Sequence, residues 1–267
     1  MEAASAPAYA PWQDALGSDT SHAECVSAHW REKYERDAGR SWDRFYGRHA
    51  TNFFKDRHYL REAFPELAVA SPSTLLDCGC GVGNALLPLL ESSPELRVIA
   101  CDISSTAIAL LKADATFAAL AAAGRCEAFV RDATADELPP PVQAQPADCA
   151  LMLFVLSAIA PDKMLAAVRF AAAGLRPGGT FLFRDYGRYD HAQIRFGEGA
   201  KLRDHFYVRQ DGTRAYFFSL EEMVRLTCAA GLEPFDVHYI KRTQTNAKSG
   251  QVWERTWVHL RARKPLE

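Results

Sequence analysis

The 267-residue sequence contains no Cys-x-x-Cys pair and no His–Cys cluster at zinc-ligand spacing, which excludes the usual small zinc modules and gives no reason to expect a metal. It also lacks an apolar run long enough to cross a bilayer, so no membrane anchor is expected. The first thirty residues hold no Lys or Arg, but do hold Asp14, Asp19 and Glu24. A secretory signal starts with basic residues and a mitochondrial presequence is Arg-rich and acid-poor, so neither is predicted. Net charge is only −2, with 24% charged and 48% hydrophobic residues. That is the make-up of a globular protein with a real core, and no global charge excess announces a polyanionic partner. Seven cysteines are an odd number. Read as free thiols, they point to a reducing compartment, the cytoplasm and with it the nucleus.

Against these absences stands one stretch, Ser73-Thr-Leu-Leu-Asp-Cys-Gly-Cys-Gly-Val-Gly-Asn84. A short apolar strand breaks into Gly79, Gly81 and Gly83 and then opens a helix. Backbone without Cβ atoms lets a ligand lie directly against it, and the helix start adds unpaired N–H groups. Asp77 supplies an acceptor beside the loop, and Asp102 ends the next predicted strand nineteen residues after Gly83, the spacing at which a carboxylate meets ribose hydroxyls. A dinucleotide loop would place its third glycine where Asn84 stands. Gly-x-Gly-x-Gly behind an acid instead resembles the first motif of S-adenosylmethionine-dependent methyltransferases.

Upstream, residues 1–24 have no periodicity and are expected to be an unstructured tail. Residues 25–72 form a distinct aromatic and basic segment, in which nine basic residues between Arg31 and Arg61 face five acids. Trp30/Tyr34 and Trp42/Tyr46 are i, i+4 pairs on one helix face. Two readings stay open for it: a structural cap, or a lid over the cofactor that also shows a basic aromatic surface to nucleic acid.

Residues 73–267 read as one methyltransferase domain. Strands are predicted at 74–77, 97–102, 127–131, 148–155 and 180–184, and helices at 84–91, 105–122, 162–174 and 220–230. Residues 175–179 read as a helix exit and turn. This alternation implies an α/β doubly wound, mostly parallel sheet. Two long strands, 235–244 and 252–263, follow with no helix between them and imply an antiparallel C-terminal pair at one edge. Asp132 and Leu153 fall at strand ends, where an open α/β sheet binds ligands; Asp132 suits either an adenine amine or the cap of a short turn. Between 241 and 264 seven basic residues face only Glu254, and between 184 and 214 seven face five acids. Both are either solvated faces or nucleic-acid contacts.

Several motifs together carry a closer resemblance. Trp42-Asp-Arg-Phe-Tyr46, Asn52-Phe-Phe-Lys-Asp-Arg-His58, Leu76-Asp-Cys-Gly-Cys-Gly-Val-Gly-Asn84, Phe154-Val-Leu-Ser-Ala158, Phe183-Arg-Asp-Tyr-Gly187 and Phe206-Tyr-Val-Arg-Gln-Asp-Gly-Thr-Arg214 occur in this order. They resemble the eukaryotic tRNA 3-methylcytidine methyltransferases over roughly residues 40 to 265, although Asp77 stands where that family more often has Glu. The resemblance implies a class I methyltransferase fold with an N-terminal helical cap. It implies S-adenosyl-L-methionine as cofactor, bound by Trp42, Tyr46, Gly79, Asp102, Asp132, Ala133 and Leu153. The substrate is then tRNA, with Lys55, Arg57, His58, Arg184, Arg209, Lys241 and Arg242 as candidate contacts. The target is a cytosine at the edge of the anticodon loop, and a helper such as a seryl-tRNA synthetase is a possible partner. Asp185, just after a predicted strand, is the candidate catalytic carboxylate, facing the positive charge that develops on the ring; its alternative role is to cap a turn or pair with an arginine. Two other readings remain: a small-molecule or protein methyltransferase, and a non-catalytic subunit of the same fold.

Overall fold

Leu75 and Leu76 are both fully buried, yet successive strand residues point to opposite faces of a sheet. Both faces must therefore be covered, as in a parallel sheet wrapped by helices. In the computed structural model, which describes residues 25–68, 73–245, 250 and 252–267, this is what the chain builds. The expected tail 1–24 and the basic residue Lys248 lie outside the described residues.

Helices α1 (Ala28–Arg36), α2 (Ala38–His49) and α3 (Leu60–Ala63) lead in. The sheet strands β1 (Ser73–Cys78), β2 (Leu96–Asp102), β3 (Cys126–Val130), β4 (Ala147–Leu153) and β5 (Leu175–Tyr186) then alternate with α4 (Leu86–Ser92), α5 (Ser105–Ala113), α6 (Ala115–Ala122), α7 (Pro140–Ala144) and α8 (Met164–Ala173). A short helix α9 (His191–Ile194) and strands β6 (Lys201–Arg203), β7 (Phe206–Val208) and β8 (Arg214–Tyr216) intervene before α10 (Leu220–Ala229), β9 (Glu233–Thr245) and β10 (Val252–Arg263). The seven-stranded sheet runs β3-β2-β1-β4-β5-β10-β9. Strands β1 to β5 are parallel, and β10 is antiparallel to both of its neighbours. Strand order reverses between β1 and β4, which opens a crevice at their carboxyl ends.

Three expectations need correction. The single helix over 105–122 is two helices bent by 80°, because Asp114 leaves helical geometry and its Oδ1 accepts from the Phe117 N–H at 3.0 Å. Residues 175–179 belong to the start of β5: Ala147 pairs with Leu175 and Cys149 with Thr180, so Arg176-Pro-Gly-Gly179 bulges from the ladder. The stretch 184–214 is not simply a solvated basic face. Beyond β5 it folds into α9 and a three-stranded sheet, and Arg184, Arg188, Lys201 and Arg214 are buried.

Helix α2 is docked by one carboxylate. Asp43 Oδ1 accepts from Ser104 Oγ (2.7 Å) and the Thr106 N–H (3.0 Å), so α2 caps the start of α5 and lies beside the strand ends. These hydrogen bonds outweigh the cost of burial and hold the Asp43 pKa below the usual carboxylate value. Its apolar face buries Phe45 and Tyr46 against Val82 and Ala107.

Candidate active site

A cavity of about 880 Å³ opens at the crevice. Six of the seven predicted cofactor residues line it: Trp42, Tyr46, Gly79, Asp102, Asp132 and Ala133. Leu153 lines a smaller adjoining chamber, which shares Trp42, Tyr46, Gly79 and Phe154 with the first. The glycines are required by this geometry. Gly79 (φ 80°) would place a Cβ 2.2 Å from Val155 Cγ2, and Gly81 (φ 55°) one 2.5 Å from the Tyr46 hydroxyl. No other residue type adopts that backbone and leaves the chambers open.

Asp102 accepts from the Gly81 N–H through Oδ2 (2.9 Å) and from the Ser104 N–H through Oδ1 (2.8 Å). It therefore ties the glycine loop to β2 before any ligand arrives, and its remaining lone pairs are free for hydroxyl donors. Burial pushes its pKa up to about 6, against the pull of those two N–H groups. Asp132 has the turn-capping geometry: Oδ1 accepts from the Thr134 N–H (2.8 Å) and hydroxyl (2.7 Å). It does so at the cavity wall.

The smaller chamber has walls of opposite charge. Asp77 Oδ2 is buried with no hydrogen-bond partner. Burial, and then the charge of Asp102, raise the Asp77 pKa to about 7, opposed by Arg57. Arg57 lies over the Phe154 ring at 4.7 Å, with Asn84 nearby on the same wall. A buried acceptor without a donor is costly, and a ligand ammonium would satisfy it. A carboxylate on the same ligand would meet Arg57. Phe154, the hinge between the chambers, has φ 58°, a strained backbone for a bulky residue that is typical of functional positions. Tyr46 stays a neutral phenol, since burial and the nearby Asp102 and Cys80 push its pKa well up.

Asp185 has the capping geometry that the sequence offered as its alternative role. It is 0% exposed and lines neither chamber. Oδ2 accepts from the Ser157 N–H (2.9 Å) and Oδ1 from the Tyr186 N–H (2.8 Å). Its carboxylate ties β5 to the turn after β4. Arg184 is corrected as a tRNA contact for the same reason: at 6% exposure its guanidinium packs inward on Tyr59, Phe64 and His259. Lys55, His58, Lys241 and Arg242 are exposed. Arg209 lies over the Tyr186 ring at 5.7 Å while donating to the Arg214 carbonyl at 2.8 Å.

Sequence reading missed two wall elements. Phe154 stood in a motif but had no assigned role. Glu35, on the α1 wall of the larger cavity, pairs with Lys163 at 2.5 Å and with Arg214; nothing in a lone glutamate on a charged helix announces that.

Residues 76–181 match a family model described as a methyltransferase domain. The chain is 44% identical over 250 residues to the tRNA N(3)-methylcytidine methyltransferase Mettl2 of Drosophila melanogaster, covering 90% of this chain and 76% of that one. It is 42% identical over 245 residues to the tRNA N(3)-cytidine methyltransferase METTL6 of Mus musculus, covering 90% and 86%. Among solved structures, the Burkholderia thailandensis 1,6-didemethyltoxoflavin-N1-methyltransferase, with bound 1,6-didemethyltoxoflavin and S-adenosylhomocysteine, superposes with a TM-score of 0.57 at 20% identity, covering 91% of this chain and 92% of that one. At that identity the likeness speaks for the fold alone.

Proposed function

Because the chain belongs to the tRNA N(3)-cytidine methyltransferases, we propose that its target is a cytosine at the edge of the anticodon loop and that the two chambers divide the work of binding cofactor and base. The enzyme uses S-adenosylmethionine to methylate tRNA cytidine at N3. The larger chamber suits the nucleoside half of the cofactor, with Asp102 taking the ribose hydroxyls and Asp132 and Ala133 beside the adenine. The smaller suits its methionine half, with the ammonium at Asp77 and the carboxylate at Arg57. The observation that carries this division is the partnerless Asp77 oxygen in a small chamber that Arg57 also lines. The bound cofactor supplies an electrophilic methyl on a sulfonium.

Cytosine N3 holds its own lone pair, so no base need remove a proton first, and catalysis is largely alignment. A paired cytosine has N3 occupied, so the base must come from a loop or be flipped out. A place for it adjoins Phe154, whose ring centroid lies 5.2 Å from Tyr186 and 6.3 Å from Trp257. Aromatic faces there would stack the base and favour the cationic ring of the product, the charge that Asp185 is too buried to meet. Lys55, His58, Lys241 and Arg242 provide exposed cationic or polar groups for the RNA, with Arg209 at the aromatic lip.

A finer partner reading is that a helper such as a seryl-tRNA synthetase presents the tRNA. It is supported by the family resemblance and by the net charge of −2, which gives little general attraction for a polyanion. Seven free cysteines support a cytoplasmic location, with the nucleus as a second site. The test is incubation with total tRNA and labelled S-adenosylmethionine, with and without purified seryl-tRNA synthetase, followed by nucleoside analysis and mapping. Label in 3-methylcytidine of the anticodon loop is expected; label at another tRNA position would sink the target assignment. Equal rates with and without synthetase would remove the helper.

A further inference from the structure

Arg184 is an unusual charge. Its guanidinium is buried at 6% exposure, and among the described residues no carboxylate pairs with it. Its Nε has no hydrogen-bond partner, and burial lowers its pKa. A cation kept inside without a counter-charge is expensive. Aromatic and imidazole groups hold it instead. It lies over the rings of Tyr59 (4.9 Å) and Phe64 (5.5 Å), and Nη2 meets His259 Nδ1 at 3.1 Å. His259 in turn stacks on Phe64 at 4.6 Å.

Two outputs of this cluster reach the chambers. The Arg184 carbonyl accepts from the Phe154 N–H at 2.9 Å, which fixes the strained residue at the hinge. The Tyr59 ring clamped by Arg184 presents its hydroxyl to Arg57 Nη1 at 3.5 Å. Arg57 is thus held between the face of Phe154 and the hydroxyl of Tyr59; the Arg184 side chain sets the Tyr59 ring, while the bond to Phe154 comes from its main chain.

We infer that Arg184 is a positioning residue for cofactor binding: through the Tyr59 ring it aims the Arg57 guanidinium at the carboxylate of the methionine moiety. This rests on the reading that Arg57 takes that carboxylate. It gives a physical reason for an arginine rather than an apolar residue at this point. A planar cation lies over Tyr59 and Phe64 together and also reaches His259.

The test is calorimetric affinity for two probes, S-adenosylmethionine and its decarboxylated analogue, which retains the sulfonium and the amine. In Arg57→Ala, S-adenosylmethionine should bind roughly tenfold or more weakly while the analogue stays within about twofold of wild type. Tyr59→Phe should weaken S-adenosylmethionine by roughly fivefold, spare the analogue, and add nothing in the Arg57→Ala background. Arg184→Met should follow the same selective pattern. If Arg184→Met does not fold, Tyr59→Phe alone and combined with Arg57→Ala decides the matter. Equal weakening of both probes by Tyr59→Phe, additive loss in the double variant, or no loss at all would overturn the inference while leaving the Arg57 assignment intact. An Arg57→Ala protein that fails to distinguish the two probes would overturn the carboxylate reading, and the inference with it.

Discussion

Asp102 and Asp185 close two strands of one sheet and look alike by every local measure. Each is buried, each accepts from two backbone N–H groups, and burial pushes each pKa up to about 6. Yet Asp102 stands at a cavity wall and Asp185 does not. The difference is topological. Strand β2 ends beside the β1/β4 reversal, where the crevice opens, whereas the end of β5 is roofed by the turn at Ser157 and by the β6–β8 sheet. A perturbed carboxylate at a strand end marks a functional group only where the fold leaves space in front of it.

Substitutions can break this contrast. The largest effect is expected for Asp185→Ala, which strands two buried N–H groups and should cost about 2–5 kcal/mol of unliganded stability. Thermal unfolding without ligand would show it, with cofactor affinity of the folded fraction near wild type. A variant that melts normally but no longer turns over would restore Asp185 to catalysis. Next comes Asp102→Asn, which keeps one acceptor for the loop but loses the charge offered to ribose. Calorimetry should show cofactor affinity reduced by about 1.5–3 kcal/mol, and unchanged affinity would remove Asp102 from the site.

Proton titration separates the pair at lower amplitude. A carboxylate raised to about 6 on folding contributes stability below its ordinary value near 4, and that contribution is lost as pH rises through 6. Asp185→Asn lacks this loss. Its stability relative to wild type should therefore climb between pH 4 and 6 by on the order of 1–3 kcal/mol and then level off. Cofactor affinity should follow Asp77 and Asp102 with the opposite sign, since an ammonium and hydroxyls donate to their charged forms. It should weaken as pH falls below about 7 and further below about 6, in wild type and Asp185→Asn alike. An affinity profile that shifts in Asp185→Asn would mean that the two sites are coupled.

The smallest effect concerns a region remote from both acids. Charge reversal by Lys241→Glu with Arg242→Glu, on the exposed part of β9, should weaken tRNA binding by roughly 1 kcal/mol for each phosphate left without its cation, and flatten the salt dependence. Filter binding at several salt concentrations measures this, with calorimetry to show cofactor affinity unchanged.

What was legible in the sequence follows from the same distinction. Strand runs such as Leu75-Leu76 and the glycine spacing are local signals, and they placed β1 to β4, the loop and Asp102 within a residue or two. The break at Asp114 was hidden because alanine-rich flanks read as one helix, while a single side-chain cap decides otherwise. Six cofactor residues gathered at one cavity because motif order tracks the crevice. The burial of Asp185 and Arg184 was hidden because charge on a linear chain carries no depth; only the three-dimensional cover over β5 shows that both point inward. Phe154 left no trace of its strained φ in the sequence at all.

The order β5-β10-β9 has a consequence for how the chain acquires its shape during synthesis. Strand β9 precedes β10, yet its ladder bonds in the sheet go only to β10, which also pairs with β5. The later strand must therefore slot between two that emerge before it. Until residues 252–263 are available, β9 has no seat, β5 ends in an open edge, and His259 is missing from behind Arg184. The edge that β5 then presents is of the unpaired kind that invites wrong pairing. Strand β10 is thus synthesised after both of the strands it joins.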